Sequence, residues 1–206
     1  MLAICLDLEG VLIPEIWINV AERTGITALT RTTRDEPDYD RLMSYRLGIL
    51  DQNDIKMDDI TSTIGSMEPM EGATEFLASL ESRWPTLILS DTFSQFAKPM
   101  MKKLGNPTLL CHTLLIDDTG RIEDWKIRYD DHKRKTVDSL IEMNYQVIAA
   151  GDSYNDTSML SAASAGILFR PPENVIEEFP QFPVAMDYSE LIDAIESAAR
   201  DLGELW

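Results

Sequence analysis

The sequence predicts an α/β protein: a Rossmann-like parallel sheet with an inserted helical cap. Three observations carry that expectation. Short, continuous apolar runs recur at LAICLDL (2–8), TLILS (86–90), QVIAAG (146–151) and AGILF (165–169), as strands buried on both faces do. Helical patterns alternate with these runs, and such alternation builds a parallel sheet covered by helices. Residues 9–85 separate the first two strands, whereas a crossover needs only about a dozen residues.

The first strand comes from LAICLDL. The long span after it carries three helical patterns, PEIWINVAERTG, DYDRLMSYRLGILDQN and KMDDITSTIGSM, before EGATEFLASLESRW returns the chain to the sheet. The expected division is therefore a helical cap over residues 13–70 and an α/β core over 1–12 and 71–206. An insertion there sits over the carboxyl ends of the strands, where such sheets bind ligands. DTFSQFAKPMMKKLG follows the second strand. TLLCHTLLIDDTGRIEDWKIR reads as a hairpin turning at Asp118–Gly120. DSYNDTSMLSAAS and PPENVIEEFPQF follow the remaining strands. PVAM (183–186) reads as an edge strand and YSELIDAIESAARDL as a terminal helix.

Composition excludes some functions. The 206 residues hold 36 acids against 18 bases, a net charge of -18, which disfavours nucleic acid or an anionic membrane as partner. A small-molecule substrate is the better expectation, and an anionic one needs a local positive site. Cys5 and Cys111 both fall in apolar runs and read as buried, reduced thiols. Met1 opens directly onto a short run containing Asp7, without a basic flank. No apolar run reaches the ~18 residues of a membrane span, so a cytoplasmic protein is expected.

Chemistry concentrates at the strand ends. In CLDLEGVLIPE, Asp7 and Glu9 share a face if strand geometry persists, and Gly10 lets the chain turn. Side-by-side carboxylates repel unless a cation lies between them, and a hard ion on few carboxylates suits Mg2+. Taken alone, the pair is as readily two solvated loop acids. AAGDSYND places Asp152 just past a strand, with Asn155 and Asp156 in the first helical turn; one of these acids can simply cap the helix. ILSDTF brings Ser90 and the following N–H groups to the same edge, ahead of a helix N-terminus that could cradle phosphate. DHKRKTV puts Lys133 near a helix start, where a cation opposes the helix dipole and gains no stability from it. His112 and His132 read as structural, and Trp17 as packing.

In this order the motifs resemble the haloacid dehalogenase superfamily of phosphohydrolases. The matching residues are Asp7-Leu8-Glu9, Ser90, Lys133 and Gly151-Asp152 with Asp156. GDSYNDTSML is similar to a segment of phosphoserine phosphatases, and YDRLMSYRLGIL to their cap segment with its substrate-binding Arg, here Arg46. Glu15 falls on their cap-base Glu. Glu9 replaces the usual second Asp, and Ser90-Asp91-Thr92 replaces Ser-Gly-Gly. With ICLDLEGVLIPEIW, LSDTF and LLCH, these departures resemble the bifunctional phosphoserine phosphatase/homoserine phosphotransferase group, the ThrH type.

The resemblance implies magnesium-dependent chemistry through an aspartyl phosphate on Asp7, with Glu9 as general acid and base. It implies a metal site of Asp7, Asp152 and Glu9, the last through its backbone carbonyl. Glu15 would meet the substrate ammonium and Arg46 its carboxylate. Ser90, Asp91, Lys133 and Asn155 complete the implied binding set, with Asp156 supporting Lys133 or the metal waters. Phosphoserine and homoserine are the implied substrates, and a homodimer is compatible with the size. Three other readings fit the residues: a phosphatase for another small phosphomonoester, a phospho-accepting receiver-like signalling domain, and a non-catalytic metal-binding module.

Overall fold

The protein is described here from a computed structural model over residues 1–32, 35–36 and 38–204. Among these residues the sheet has seven strands in the order β4-β3-β2-β1-β5-β6-β7. They are β1 (Leu2–Leu6), β2 (Thr86–Phe93), β3 (Leu109–Ile116), β4 (Ile122–Lys126), β5 (Gln146–Gly151), β6 (Ala165–Phe169) and β7 (Val184–Ala185). All neighbours pair in parallel except β3 and β4, the expected hairpin. Its turn uses Gly120 at φ 84°, with the Gly120 N–H donating to the Asp117 carbonyl.

The period of two explains the layering. Leu2, Ile4 and Leu6 of β1 enter a large core, with Phe76 and Leu77 of α4 (Ala73–Glu81), Phe96 of α5 (Ser94–Lys103) and Leu191 and Ile195 of α9 (Tyr188–Asp201). Ala3 and Cys5 face the other way, toward Val137 of α6 (His132–Glu142), Met159 of α7 (Thr157–Ala162) and Val175 of α8 (Glu173–Glu178). β1 needs apolar residues at every position because both faces are covered. The thiols of Cys5 and Cys111 are free and buried, and burial pushes them up to about 12 and about 11, so neither is a ready nucleophile.

Between β1 and α4 lie α1 (Ile16–Thr24), α2 (Tyr39–Gln52) and α3 (Met57–Gly65). Gly25, at φ 70°, ends α1, and the Asp38 side chain caps α2 by accepting from the Arg41 N–H at 3.0 Å. Their apolar faces continue the large core, and Trp17 meets Phe96 edge-on at 5.4 Å. The far end of this insertion is fastened to the hairpin. The Met57 N–H donates to the Gly120 carbonyl at 2.8 Å, and Arg121 grips Asp51 with two bonds of 2.7 and 2.6 Å.

Two strand ends differ from the sequence expectation. β1 stops at Leu6, because the chain turns in a loop where Gly10 donates to the Ile13 carbonyl. β2 runs past Ser90 to Phe93, because Thr92 and Phe93 are buried and Phe93 registers with His112 on β3. The chain leaves β1 toward β2 on one side and returns through β5 on the other. This reversal opens a crevice at the carboxyl ends of β1 and β5.

Candidate active site

Asp7 follows β1 directly and is 4% exposed. Its N–H donates to the Ala150 carbonyl at 2.9 Å, tying it to β5. Its Oδ1 accepts from the Leu8 N–H at 2.7 Å and from Lys133 Nζ at 2.8 Å. Lys133, in the first turn of α6, also donates to Asp156 Oδ1 at 2.7 Å. Asp156, fully buried, accepts the N–H groups of Asp152 and Ser153 on its other oxygen, at 3.0 and 3.2 Å. Five residues from three segments, Asp7, Lys133, Asp152, Ser153 and Asp156, are thus locked together by the ends of β1 and β5 and the start of α6.

Glycine makes the approach possible. Gly10 has φ 77°, and a Cβ there would lie 2.6 Å from the Asp152 carboxyl carbon. A Cβ on Gly151 would lie 2.4 Å from Asp156 Cγ. Asp7, Asp152 and Asp156 each offer a carboxylate oxygen, all within 4.8 Å of one another. Burial and the charge of Asp156 raise Asp7 well above the usual carboxylate range, although Lys133 pulls the other way. Burial, then the charges of Asp156 and Glu15, push Asp152 up to about 7. Asp7 and Asp156 share the Lys133 ammonium and Asp152 adds a further carboxylate, leaving negative charge that a cation would offset, and an all-oxygen donor set suits a hard divalent ion.

Glu9 turns elsewhere. Its Oε2 accepts the Ile16 N–H at 2.8 Å, where α1 begins. Burial, and then the charge of Glu15, push it up to about 8. Arg46 is 6% exposed. One terminal nitrogen donates to the Arg31 carbonyl at 2.9 Å, the guanidinium lies 4.5 Å over the Trp17 ring, and Nε has no partner. Burial lowers Arg46 to about 10. Ser90 is 2% exposed and its Oγ accepts the Thr92 N–H at 3.2 Å, leaving its own proton to donate. It lies near the end of β2, and α5 begins four residues later at Ser94.

One cavity of about 450 Å³ is lined by Asp7, Glu9, Glu15, Arg46, Ser90, Asp91, Lys133, Asp152 and Asn155, among others. Asp156 lies outside this lining and supports three residues within it, Lys133, Asp152 and Ser153. Asp91 is held hard at one wall. Its Oδ1 accepts from His132 Nε2 at 3.1 Å and lies 3.6 Å from His112 Nε2, and its Oδ2 accepts from Asn155 at 3.0 Å. Burial works against the charge of Asp91. Lys133 and these donors outweigh it and hold the carboxyl well below its ordinary range. The sequence reads both histidines as structural and gives no role to Tyr39, whose hydroxyl donates to the Asp91 carbonyl at 3.1 Å. Only the adjacency of His132 to Lys133 hints at one of them, and nothing in the sequence points to His112 or Tyr39.

No family model matches the chain. It is 58% identical over 199 residues to Phosphoserine phosphatase ThrH of Pseudomonas aeruginosa, covering 96% of this chain and 97% of that protein. It is 53% identical over 199 residues to Phosphoserine phosphatase of Pseudomonas syringae pv. tomato, covering 96% and 84%. Among solved structures, a phosphoserine phosphatase in apo form superposes with a TM-score of 0.76 at 19% identity, over 93% of this chain and 97% of the other. A phospho-aspartyl intermediate analogue of phosphoserine phosphatase gives 0.75 at 19% identity, over 93% and 97%. These two structures share the fold. Among the described residues no helix is long and apolar enough to cross a membrane.

Proposed function

The chain belongs to the phosphoserine phosphatase family, and on that premise we propose that it is a magnesium-dependent phosphoserine phosphatase that also transfers the phosphoryl group to homoserine. The observation that carries this is one cavity lined both by a buried carboxylate, Asp7, and by a buried guanidinium, Arg46, whose Nε has no hydrogen-bond partner. An unpaired buried guanidinium N–H costs about 1–3 kcal/mol or more, and a substrate carboxylate would satisfy it. The phospho-aspartyl analogue among the structural neighbours supports the same route.

Asp7 would attack phosphorus in line and carry the phosphoryl group. Its oxygen already held by Lys133 is fixed in direction, which aims the other. Lys133 and the Ser90 hydroxyl would receive the phosphoryl oxygens. Mg2+ would be held by Asp7, Asp152 and the Glu9 carbonyl, with Asp156 supporting, and would screen the repulsion between carboxylate and phosphate. Glu9, pushed up to about 8, holds a proton at neutral pH for the leaving serine oxygen. It would then take a proton from the incoming hydroxyl, that of water or of homoserine. Glu15 would meet the amino group, and Asn155 and Asp91 would bound the substrate on the other side. Residues 13–70 would form the cap, carrying Glu15 and Arg46, and 1–12 with 71–206 the catalytic core.

The test is to supply O-phosphoserine and Mg2+ with and without homoserine and to follow phosphorus by 31P NMR. Inorganic phosphate should form in the first case and phosphohomoserine should appear in the second. Asp7→Asn should do neither. Failure of the wild-type protein to consume phosphoserine, or turnover by the variant, would overturn the proposal.

A further inference from the structure

We infer that Asp91, with the buried His112 and His132 behind it, forms a clamp that positions Lys133 and Asn155 at the catalytic cavity. The inference rests on the reading of Lys133 as the group that receives phosphoryl oxygens. The chain has only two histidines, and both serve this one carboxylate. They are 4% and 3% exposed, with ring centroids 4.6 Å apart. One comes from β3 and the other opens α6, immediately before Lys133.

The same three residues could be mistaken for a metal site, since their ligand atoms lie within 4.8 Å of one another. The far sides of the rings decide otherwise. A histidine that binds metal donates its remaining ring N–H to an acceptor. Nδ1 of His112 instead accepts the Arg128 N–H at 3.3 Å, which leaves the ring proton on Nε2, facing Asp91. Nδ1 of His132 is buried without a partner, so no acceptor orients that ring as a ligand either. Its Nε2 faces a carboxylate oxygen at 3.1 Å and must donate. The histidines are donors to Asp91, not ligands beside it.

The consequence falls on Lys133. Asp7 and Asp156 hold its ammonium at 2.8 and 2.7 Å, while Asp91 Oδ2 stands back at 3.7 Å. A free Asp91 would close that gap and take a third ammonium proton, the one a phosphoryl oxygen needs. The two histidines and Asn155 occupy Asp91 and hold it off. Its charge steadies the ammonium without consuming it. The Tyr39 bond to the Asp91 carbonyl fixes the backbone from α2. Asp91, His112 and His132 are thus positioning residues.

Two arms test this. Nitrogen-15 NMR of the wild-type protein should show both histidines protonated at Nε2, and Asp91→Asn should shift both sets of signals. Added Zn2+ should leave the Nε2 signals unmoved. In the kinetic arm, His132→Leu should lower kcat for phosphoserine by about 10²-fold, the effect of a small misplacement at a reacting centre. His132→Gln, which keeps an N–H donor, should recover most of that loss, with both variants checked for folding by thermal melting. An Nδ1-protonated ring, a Zn2+-dependent Nε2 shift, or a folded His132→Leu with wild-type turnover would overturn the clamp. The NMR arm needs no turnover, so a failed substrate assignment and a failed clamp leave different signatures.

Discussion

Without the divalent ion proposed for its acidic cluster, the folded protein should be sensitive to alkali. Asp152 rises from an ordinary value of 3.8 to about 7 through burial and its acidic neighbours, and Asp7 moves the same way. A carboxyl raised in the folded state binds protons there more tightly than in the unfolded chain. Its favourable contribution is complete below the unfolded value and is lost as pH rises through the folded one. For Asp152 alone the interval corresponds to about 4 kcal/mol in full, of which roughly 2.6 kcal/mol falls between pH 5 and 8, and partial solvent access reduces the expected loss in that window to about 1–2 kcal/mol. Asp91 shifts in the opposite direction, so its titration falls below this window. Urea denaturation followed by circular dichroism, in EDTA and in Mg2+, measures the slope directly. Stability in EDTA should fall across the interval, Mg2+ should restore it most at pH 8, and Asp152→Asn should flatten both responses. A level or rising curve in EDTA, or equal rescue by Mg2+ at pH 5 and 8, would refute the crowding of carboxylates as its cause.

Three further outcomes are expected. Glu9→Gln should cut kcat for phosphoserine by ~10²–10⁴-fold with little change in KM, measured by phosphate release. Arg46→Lys should raise KM for phosphoserine about 10–100-fold, from one lost charged hydrogen bond. It should leave turnover of a phosphomonoester lacking a carboxylate unchanged, which steady-state kinetics on the two substrates will separate. Gly10→Ala forces a methyl to within 2.6 Å of the Asp152 carboxyl and strains a positive φ, so Mg2+ binding by calorimetry should weaken at least tenfold, by about 1.4 kcal/mol or more.

Much of the architecture is written locally. β1, β5 and β6 are buried on both faces and so read as unbroken apolar runs, and Asp7 and Asp152 stand out because each ends such a run. The end of β2 was not legible, because Ser90-Asp91-Thr92 looks like a strand giving way to a turn. Only the partner strand, pairing His112 with Phe93, shows that the sheet resumes after these three residues, which form a bulge. The direction of Glu9 was equally hidden. Alternation puts it beside Asp7, but the loop after Leu6 breaks the alternation and hands its carboxylate to the Ile16 N–H. The histidines were the hardest case. Their meeting at Asp91 depends on how β3 and α6 are placed against β2, and no spacing in the chain encodes it.

The fastening of the helical insertion to the hairpin bears on how substrate gets in and out. A lid hinged only at its two chain connections could swing freely. Here the swing would also have to rupture the Met57–Gly120 bond and the paired grip of Arg121 on Asp51, on the opposite rim. Hydrogen exchange at the Met57 amide is therefore a single-site gauge of how often this enzyme gapes. Its protection sets a ceiling on any wholesale lifting that turnover could use.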